Sequence, residues 1–325
     1  MPSNYSVRPN KHVDRELFVD LVGRCLSYED VGRCAYISMG GPQMADHIAM
    51  YRRNGISKLY SFDMDEDVVR RQAFNSPSTQ TCCRAHLASD LPGRLDQISE
   101  ELAADRLVLW LDYTGIGSRG QQLTEFQNTL AALSVGDIAR VSLEASFLPD
   151  QRKAELPAEI RSNHQAAMAE LLRREVGELH PEDVEVETIN DIPLYLAKCV
   201  ERVCDRVSSQ PGEPKHFAPL LLTSYSDSSP MFTATILVQN DADQPNAPGS
   251  FPFLAQSWND IENLEVPELS ARERAFVDRI LGDTPNAIDD HLGFPIARDR
   301  QRVRQWESFK KFHRFLPQFH HVEMK

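Results

Sequence analysis

Two apolar, β-branched runs, HFAPLLLTSYSD (216–227) and PMFTATILVQN (230–240), stand with only turn-forming residues between them. A parallel pair needs a crossover of a dozen or more residues, so these two must pair antiparallel, as a hairpin. What precedes them reads differently. Five runs, CAYISMGG (34–41), SKLYSFDM (57–64), QTCCRAHLAS (80–89), RLVLWLDYTG (106–115) and GDIARVSLEAS (136–146), alternate with helical segments such as PQMADHIAMYRRNG and RGQQLTEFQNTLAAL. That alternation predicts a parallel, doubly wound α/β sheet. A parallel series that ends in a helix (191–209) and an antiparallel hairpin is an uncommon combination, and it narrows the fold.

The remaining segments are helical in rhythm. HVDRELFVDLVGRCLS (12–27) spaces Leu17, Val19, Leu21, Val22 and Leu26 helically. Residues 149–187 are polar and helix-prone, an inserted helical hairpin or cap. A Pro/Asn/Gly-rich linker, NDADQPNAPGSFPF, precedes a tail in which Ser270 stands three residues before Glu273 as a capping box. The tail's Trp306, Phe309, Phe312, Phe315 and Phe319 read as a packing face. The expected organisation is one domain over 1–245, with the insertion at about 149–187, and a helical appendage over 256–325.

Composition sets limits. Apolar residues make up 41% and charged residues 26%, as in a globular protein. No apolar stretch approaches the ~20 residues that span a bilayer, and MPSNYSVRPNKHVDRE lacks a secretory signal, so a cytoplasmic location is expected. A net charge of −13 weighs against a nucleic-acid partner, because counterion release favours basic proteins. A basic patch of Arg298, Arg300, Arg302, Arg304, Lys310, Lys311 and Arg314 keeps that option open. The six cysteines show no CxxC spacing and the histidines no HExxH, and the pair His320–His321 reads as surface decoration, so reduced thiols and no metal site are expected.

In open parallel sheets, ligands bind beyond the carboxyl ends of the strands. Those ends here are Gly40–Gly41, Asp63/Asp65, Ser89–Asp90, Asp112–Tyr113–Thr114 and Glu144. Gly40 and Gly41 let a backbone approach a ligand ahead of a helix N-terminus; an ordinary strand-to-helix turn explains them equally. Asp63, 23 residues after Gly40, can accept two ribose hydroxyls. Its neighbours have a plainer role: Asp65 as N-cap, Glu66 and Asp67 at the positive helix end. Val68, Val69, Ala73 and Phe74 would then seat that helix on the sheet. Asp90 suits either an adenine amino group or a helix cap. Asp112 and Tyr113 leave the most apolar strand and are the candidates for positioning an acceptor.

GIGSRG (115–120) formally satisfies G-x-G-x-x-G between a strand and a helix, with Glu144 24 residues beyond Gly120. Read literally it is a dinucleotide fingerprint, but it would leave three strand–helix units unexplained. No G-x-S-x-G elbow, Walker A lysine or glycosidase carboxylate pair occurs.

The order of parts, carried by YISMGG, LYSFDMDEDVVRRQAFN, HLASD, LWLDYTG, GDIARVSLEA and LLLTSYSDSSPMFTATILV, resembles a class I S-adenosylmethionine-dependent methyltransferase. The stretches SFDMDEDVVRRQAFN and LDYTG and the tail are similar to a bacterial group described as O-methyltransferases. The resemblance spans about residues 12–242 and implies a Rossmann-like sheet of seven strands with the last antiparallel, inserted beside the sixth. It implies S-adenosylmethionine as cofactor. It places Met39, Gly40 and Gly41 on the first cofactor loop, Asp63 with Met64 at the ribose, Ser89 and Asp90 at the adenine, and Asp112 near the transferring methyl group. Two departures stand out. The first loop reads SMGGPQM without the usual third glycine, and DYTG is neither Asn/Asp-Pro-Pro-Tyr nor a metal-binding cluster.

Three functions follow in order of support: methyl transfer to an oxygen of an unidentified acceptor, a catalytically silent methyltransferase-like sensor or scaffold in a bacterial, for example defence, assembly, and a dinucleotide-dependent oxidoreductase. A partner protein or second copy would use the C-terminal appendage, and no membrane is involved.

Overall fold

The computed structural model describes residues 8–212, 214–240, 250–282, 284–296 and 300–316. The expectations for Arg298, Phe319, His320 and His321 lie outside these residues. Along the chain come α1 (Pro9–Cys25), α2 (Tyr28–Val31), β1 (Cys34–Ser38), α3 (Ala45–Ala49), β2 (Lys58–Asp63), α4 (Glu66–Asn75), β3 (Cys82–Ala85), α5 (Leu95–Leu102), β4 (Arg106–Asp112), α6 (Arg119–Ala132) and β5 (Ile138–Glu144). The inserted segment supplies α7 (Ala158–Arg161) and α8 (His164–Val176), and α9 (Ile192–Ser208) leads to β6 (His216–Ser226) and β7 (Pro230–Gln239). The tail contributes β8 (Ile261–Leu264), α10 (Ala271–Val277), α11 (Pro285–Leu292) and α12 (Arg300–Lys311).

The strands form one sheet in the order β3-β2-β1-β4-β5-β7-β6-β8. β1 pairs parallel with β2 and β4, β2 with β3, and β4 with β5. β7 runs antiparallel to β5, from Ile138↔Leu237 to Glu144↔Met231. The hairpin therefore slots its second strand between β5 and β6, as the resemblance implied. This is the class I methyltransferase topology with one correction: the sheet has eight strands, not seven. The tail, expected to be helical throughout, supplies β8, which covers the edge that β6 would otherwise present unpaired.

Side-chain alternation gives the sheet two unlike faces. Ala35, Ile37, Tyr60, Phe62, Leu109, Leu111, Val141, Leu143, Phe232 and Ile236 face one continuous apolar core, completed by Leu95 and Ile98 of α5, Leu123 and Phe126 of α6, and Tyr195, Val200 and Val203 of α9. The other face carries buried polar groups. Ser142 accepts from the Trp110 indole at 2.8 Å, and Arg140 donates to Thr233 at 2.8 Å while its guanidinium lies 4.8 Å from the Phe18 ring. Phe18 of α1 packs edge-on against Trp110 at 5.4 Å. Both faces are covered, so the central strands are buried on both sides, apolar on one and with paired polar groups on the other.

The chain divides into two compact units, one of residues 18–224 and 229–262, the other of 1–17, 225–228 and 263–325. In the first, Cys34, Cys199 and Cys204 are buried and free, and burial raises the Cys34 thiol to about 12. In the second, Asp227 caps the start of α1, its Oδ2 accepting from the Lys11 amide at 2.9 Å, and Asn10 accepts from the Val266 amide at 2.8 Å. Ser270 and Glu273 form the expected capping box at α10. Trp306, Phe309, Phe312 and Phe315 are buried, the Trp306 indole donating to Asp289 at 3.1 Å, so the aromatic stripe packs.

Candidate functional site

The register of the central strands sets the site. Ser38 of β1 pairs with Ser61 of β2 and with Trp110 of β4. Gly40, Asp63 and Asp112 each lie two residues further on, so the two carboxylates leave their strands level with each other and flank Gly40. Two strand spacings put their Cα atoms about 10 Å apart. Met39 adjoins this point, its amide donating to the Trp110 carbonyl at 3.4 Å.

Gly40 is buried for a packing reason. A Cβ there would lie 2.6 Å from Ser61 Oγ and 2.7 Å from His47 Cε1. His47 is fully buried, donates through Nε2 to the Tyr60 carbonyl at 3.0 Å, and has Asp46 beside it at 3.3 Å. Asp46 itself accepts from the Tyr36 hydroxyl at 2.7 Å and Ser38 at 2.6 Å. The loop beyond is anchored from α4: Gln72, fully buried, donates to the Gly40 carbonyl, and Asn75 donates to the Pro42 carbonyl at 2.7 Å. The Gly41 carbonyl accepts from Met44, which starts α3 in the left-handed region at φ 54°.

Asp63 is half-buried, and its Oδ1 accepts from the Asp65 amide at 2.9 Å. Asp65 caps α4 through the Asp67 amide at 2.8 Å, as expected. The seating of α4 differs from expectation. Val68 and Val69 are half-buried, but Ala73 is exposed and Phe74 is 90% exposed, while the polar Gln72 faces inward. The helix is short and faces the glycine loop through Gln72, so a polar anchor takes the place of an apolar seat. Met64 is 74% exposed at the end of β2.

At the end of β3, Ser89 and Asp90 are exposed in a 3-10 turn. Asp90 does not cap α5, whose N-cap position is Arg94. Behind the turn, His86 stacks on Phe62 with ring centroids 4.5 Å apart. Its Nδ1–H donates to the Leu87 carbonyl at 2.8 Å and Nε2 accepts from the Tyr60 hydroxyl at 3.1 Å. Burial lowers the pKa of this imidazole, so it stays neutral.

Asp112 is half-buried. Tyr113 turns the other way: it is 6% exposed and its hydroxyl donates to Glu125 of α6 at 2.8 Å. Burial, with Glu125 close by, pushes its phenol far above the ordinary tyrosine range. The structure thus brings Met39, Gly40, Asp63 and Asp112 together, keeps Met64, Ser89 and Asp90 on the neighbouring strand ends, and sends the Tyr113 ring into the core.

The GIGSRG loop already holds a carboxylate. Glu175 of α8 accepts from the Gly117 amide at 2.9 Å and the Arg119 amide at 3.0 Å. The Arg119 side chain grips the same carboxylate and also donates to the carbonyls of Glu144 at 3.1 Å and Ser146 at 2.8 Å. Gly120 has no room for a side chain, since a Cβ would lie 2.2 Å from the Glu175 carbonyl. The glycine fingerprint therefore serves as an internal anion cradle that fastens the insertion to the ends of β4 and β5.

The sequence profile of a family described as "Putative O-methyltransferase" matches residues 3–324. The chain belongs to this family. No curated protein matches the sequence. Among solved structures, Trm1 from Pyrococcus horikoshii in complex with S-adenosyl-L-methionine aligns over 96% of this chain and 80% of its own, at 11% identity and a TM-score of 0.47. A SAM-dependent methyltransferase from Anabaena variabilis aligns over 71% and 87%, at 14% identity and a TM-score of 0.36. An O-methyltransferase from Bacillus cereus in complex with SAH aligns over 69% and 80%, at 11% identity and a TM-score of 0.33. These likenesses are remote and assign no ligand or acceptor here.

For this O-methyltransferase family member, the residues that fix the site's loops are ones that motif reading passes over: Gln72, Asn75, Arg119 and Glu175. GIGSRG was the one available signal, and it marked an anion cradle without naming the anion. Glu175, inside RREVGEL, carries no motif at all.

Proposed function

We propose that this chain transfers a methyl group from S-adenosylmethionine to an oxygen of its acceptor. The level placement of Asp63 and Asp112 on either side of Gly40, at the carboxyl ends of three adjacent strands, carries this reading, and family membership supports it. The chain's own residues fit such a cofactor. Asp63 uses Oδ1 for the turn to Asp65, which leaves Oδ2 to accept from ribose hydroxyls. Met64, exposed beside it, offers an apolar wall, and the exposed Ser89 and Asp90 offer acceptors for an adenine amino group. Gly40 and Gly41, with carbonyls fixed by Gln72 and Met44, set the path of the backbone past the amino-acid end.

The cofactor supplies a methyl already activated on a sulfonium, so the protein needs alignment and exclusion of water more than a strong base. With the cofactor bound, the acceptor oxygen would take the methyl group and give up its proton to solvent or to Asp112 at the end of β4. Tyr113 enters through its backbone, which sets the direction of the loop after Asp112, while its ring stays in the core.

Mass spectrometry of nucleosides released from the purified protein, together with an assay for S-adenosylhomocysteine formation on hydroxyl-bearing compounds, tests this reading. Bound cofactor and turnover are expected. A protein that binds neither S-adenosylmethionine nor its demethylated product contradicts it, and binding without any turnover contradicts the transfer.

A further inference from the structure

A cavity of about 320 Å³ opens between the β4–α6 loop and the inserted segment. One wall is Gly117 and Ser118, a few residues beyond Asp112; the opposite walls are Leu148 and Arg152, just past β5, and Leu171 and Arg174 of α8. The two segments that frame it follow the carboxyl ends of β4, whose last residue is Asp112, and of β5. Its volume suits a small molecule or a single side chain.

Its charged lining residues are tied into ion pairs. Arg152 pairs with Glu155, and its Nη1 lies 3.6 Å from where a Gly117 Cβ would be, over backbone left bare by a glycine at φ 90°. Arg174 pairs through Nε with Glu170 at 2.7 Å, and Glu170 is shared with Arg173. Glu175 is bound to Arg119. Of the described charged residues that line the cavity, Arg152 and Arg174 face Glu155 and Glu175, and Glu175 is already neutralised by the buried Arg119. The start of the 14-residue helix α6 adds positive potential. The side chains of Arg152 and Arg174 are 45% and 46% exposed, so solvent and solutes reach them.

We infer that this cavity is the acceptor pocket, and that the acceptor carries a carboxylate or phosphate group beside the hydroxyl that is methylated, held by Arg152 and Arg174. The inference rests on the methyltransferase reading and adds the substrate class. Guanidinium forks suit both oxyanions, which bind by paired charge-assisted hydrogen bonds.

The test is binding of benzoate, phenyl phosphate and uncharged benzyl alcohol to the full chain, by ligand-observed NMR with S-adenosylhomocysteine present. Both Arg152→Gln and the double variant Arg152→Gln/Arg174→Gln are compared with wild type. The anions should bind wild type in preference to the alcohol and weaken about tenfold or more in the double variant. The stronger of the two anions then names the headgroup. Arg152→Gln replaces a half-exposed side chain, so it keeps the fold and should give part of the loss. Failure of both anions to bind, or equal binding by all three proteins, overturns the inference. S-adenosylhomocysteine affinity, read in the same samples, should be unchanged by the variants; its absence from wild type would instead contradict the methyltransferase reading.

Discussion

Glu175 on α8 closes on Arg119 on α6 through both carboxylate oxygens, with Oε1 3.0 Å from Nε and Oε2 2.7 Å from Nη2. The side chains are 4% and 0% exposed, so the pair is buried, and Arg119 ties the insertion to the loops after β4 and β5. Removing one partner leaves a buried charge without its counterion. Glu175→Ala should lower unfolding stability by about 3–5 kcal/mol in urea titrations. A loss under about 1 kcal/mol would show that the clip does not hold the insertion.

Gly40 predicts a steric effect. An alanine there drives its methyl into Ser61 Oγ and His47 Cε1, at 2.6 and 2.7 Å. Gly40→Ala should cost about 1–3 kcal/mol through overpacking. Adding Ser61→Gly removes one of the two clashing atoms and should recover part of that loss in thermal melts; strict additivity of the two changes would place the clash elsewhere.

Gln72 predicts a binding effect at a distance from any ligand. Its amide donates to the Gly40 carbonyl from a fully buried position on α4. Gln72→Leu leaves that carbonyl without its donor, at a cost of about 1–3 kcal/mol. S-adenosylhomocysteine affinity should fall with it, by about tenfold in calorimetry, if the loop is a cofactor loop.

The parallel strands, the hairpin and the capping residues were legible because each rests on local rules: alternation, strand-end glycines, the placement of Asp65 and Ser270. β8 was not, since IENL is four residues whose strand state depends on β6 offering an edge. The site was half legible. Asp63, Gly40 and Asp112 come from strand ends, which periodicity locates. The exposure of Phe74, the inward turn of Gln72 and the Tyr113–Glu125 contact depend on which face of a short element the tertiary packing selects. The Arg119–Glu175 clip joins residues 56 positions apart, beyond any local pattern.

His86 predicts a pH dependence. Burial lowers its pKa in the fold below the ordinary 6.5, and a proton on Nε2 would meet the Tyr60 hydroxyl that now donates to it. Its contribution is therefore complete above the unfolded value and is lost as pH falls through the lowered folded value. Melting temperatures of wild type should drop more on acidification below about pH 6.5 than those of His86→Phe, which keeps the stack on Phe62 without a titrating group. NMR titration of the imidazole should give a pKa below 6.5; a value at or above it contradicts the buried neutral tautomer.

The central claim is that Asp63 grips the ribose of S-adenosylmethionine at the end of β2. Calorimetry of S-adenosylhomocysteine with wild type and Asp63→Ala tests it most directly. Loss of two hydrogen bonds to a carboxylate, at about 1.5–3 kcal/mol each, predicts an affinity at least about a hundredfold weaker in the variant. Wild-type affinity retained in Asp63→Ala would contradict it.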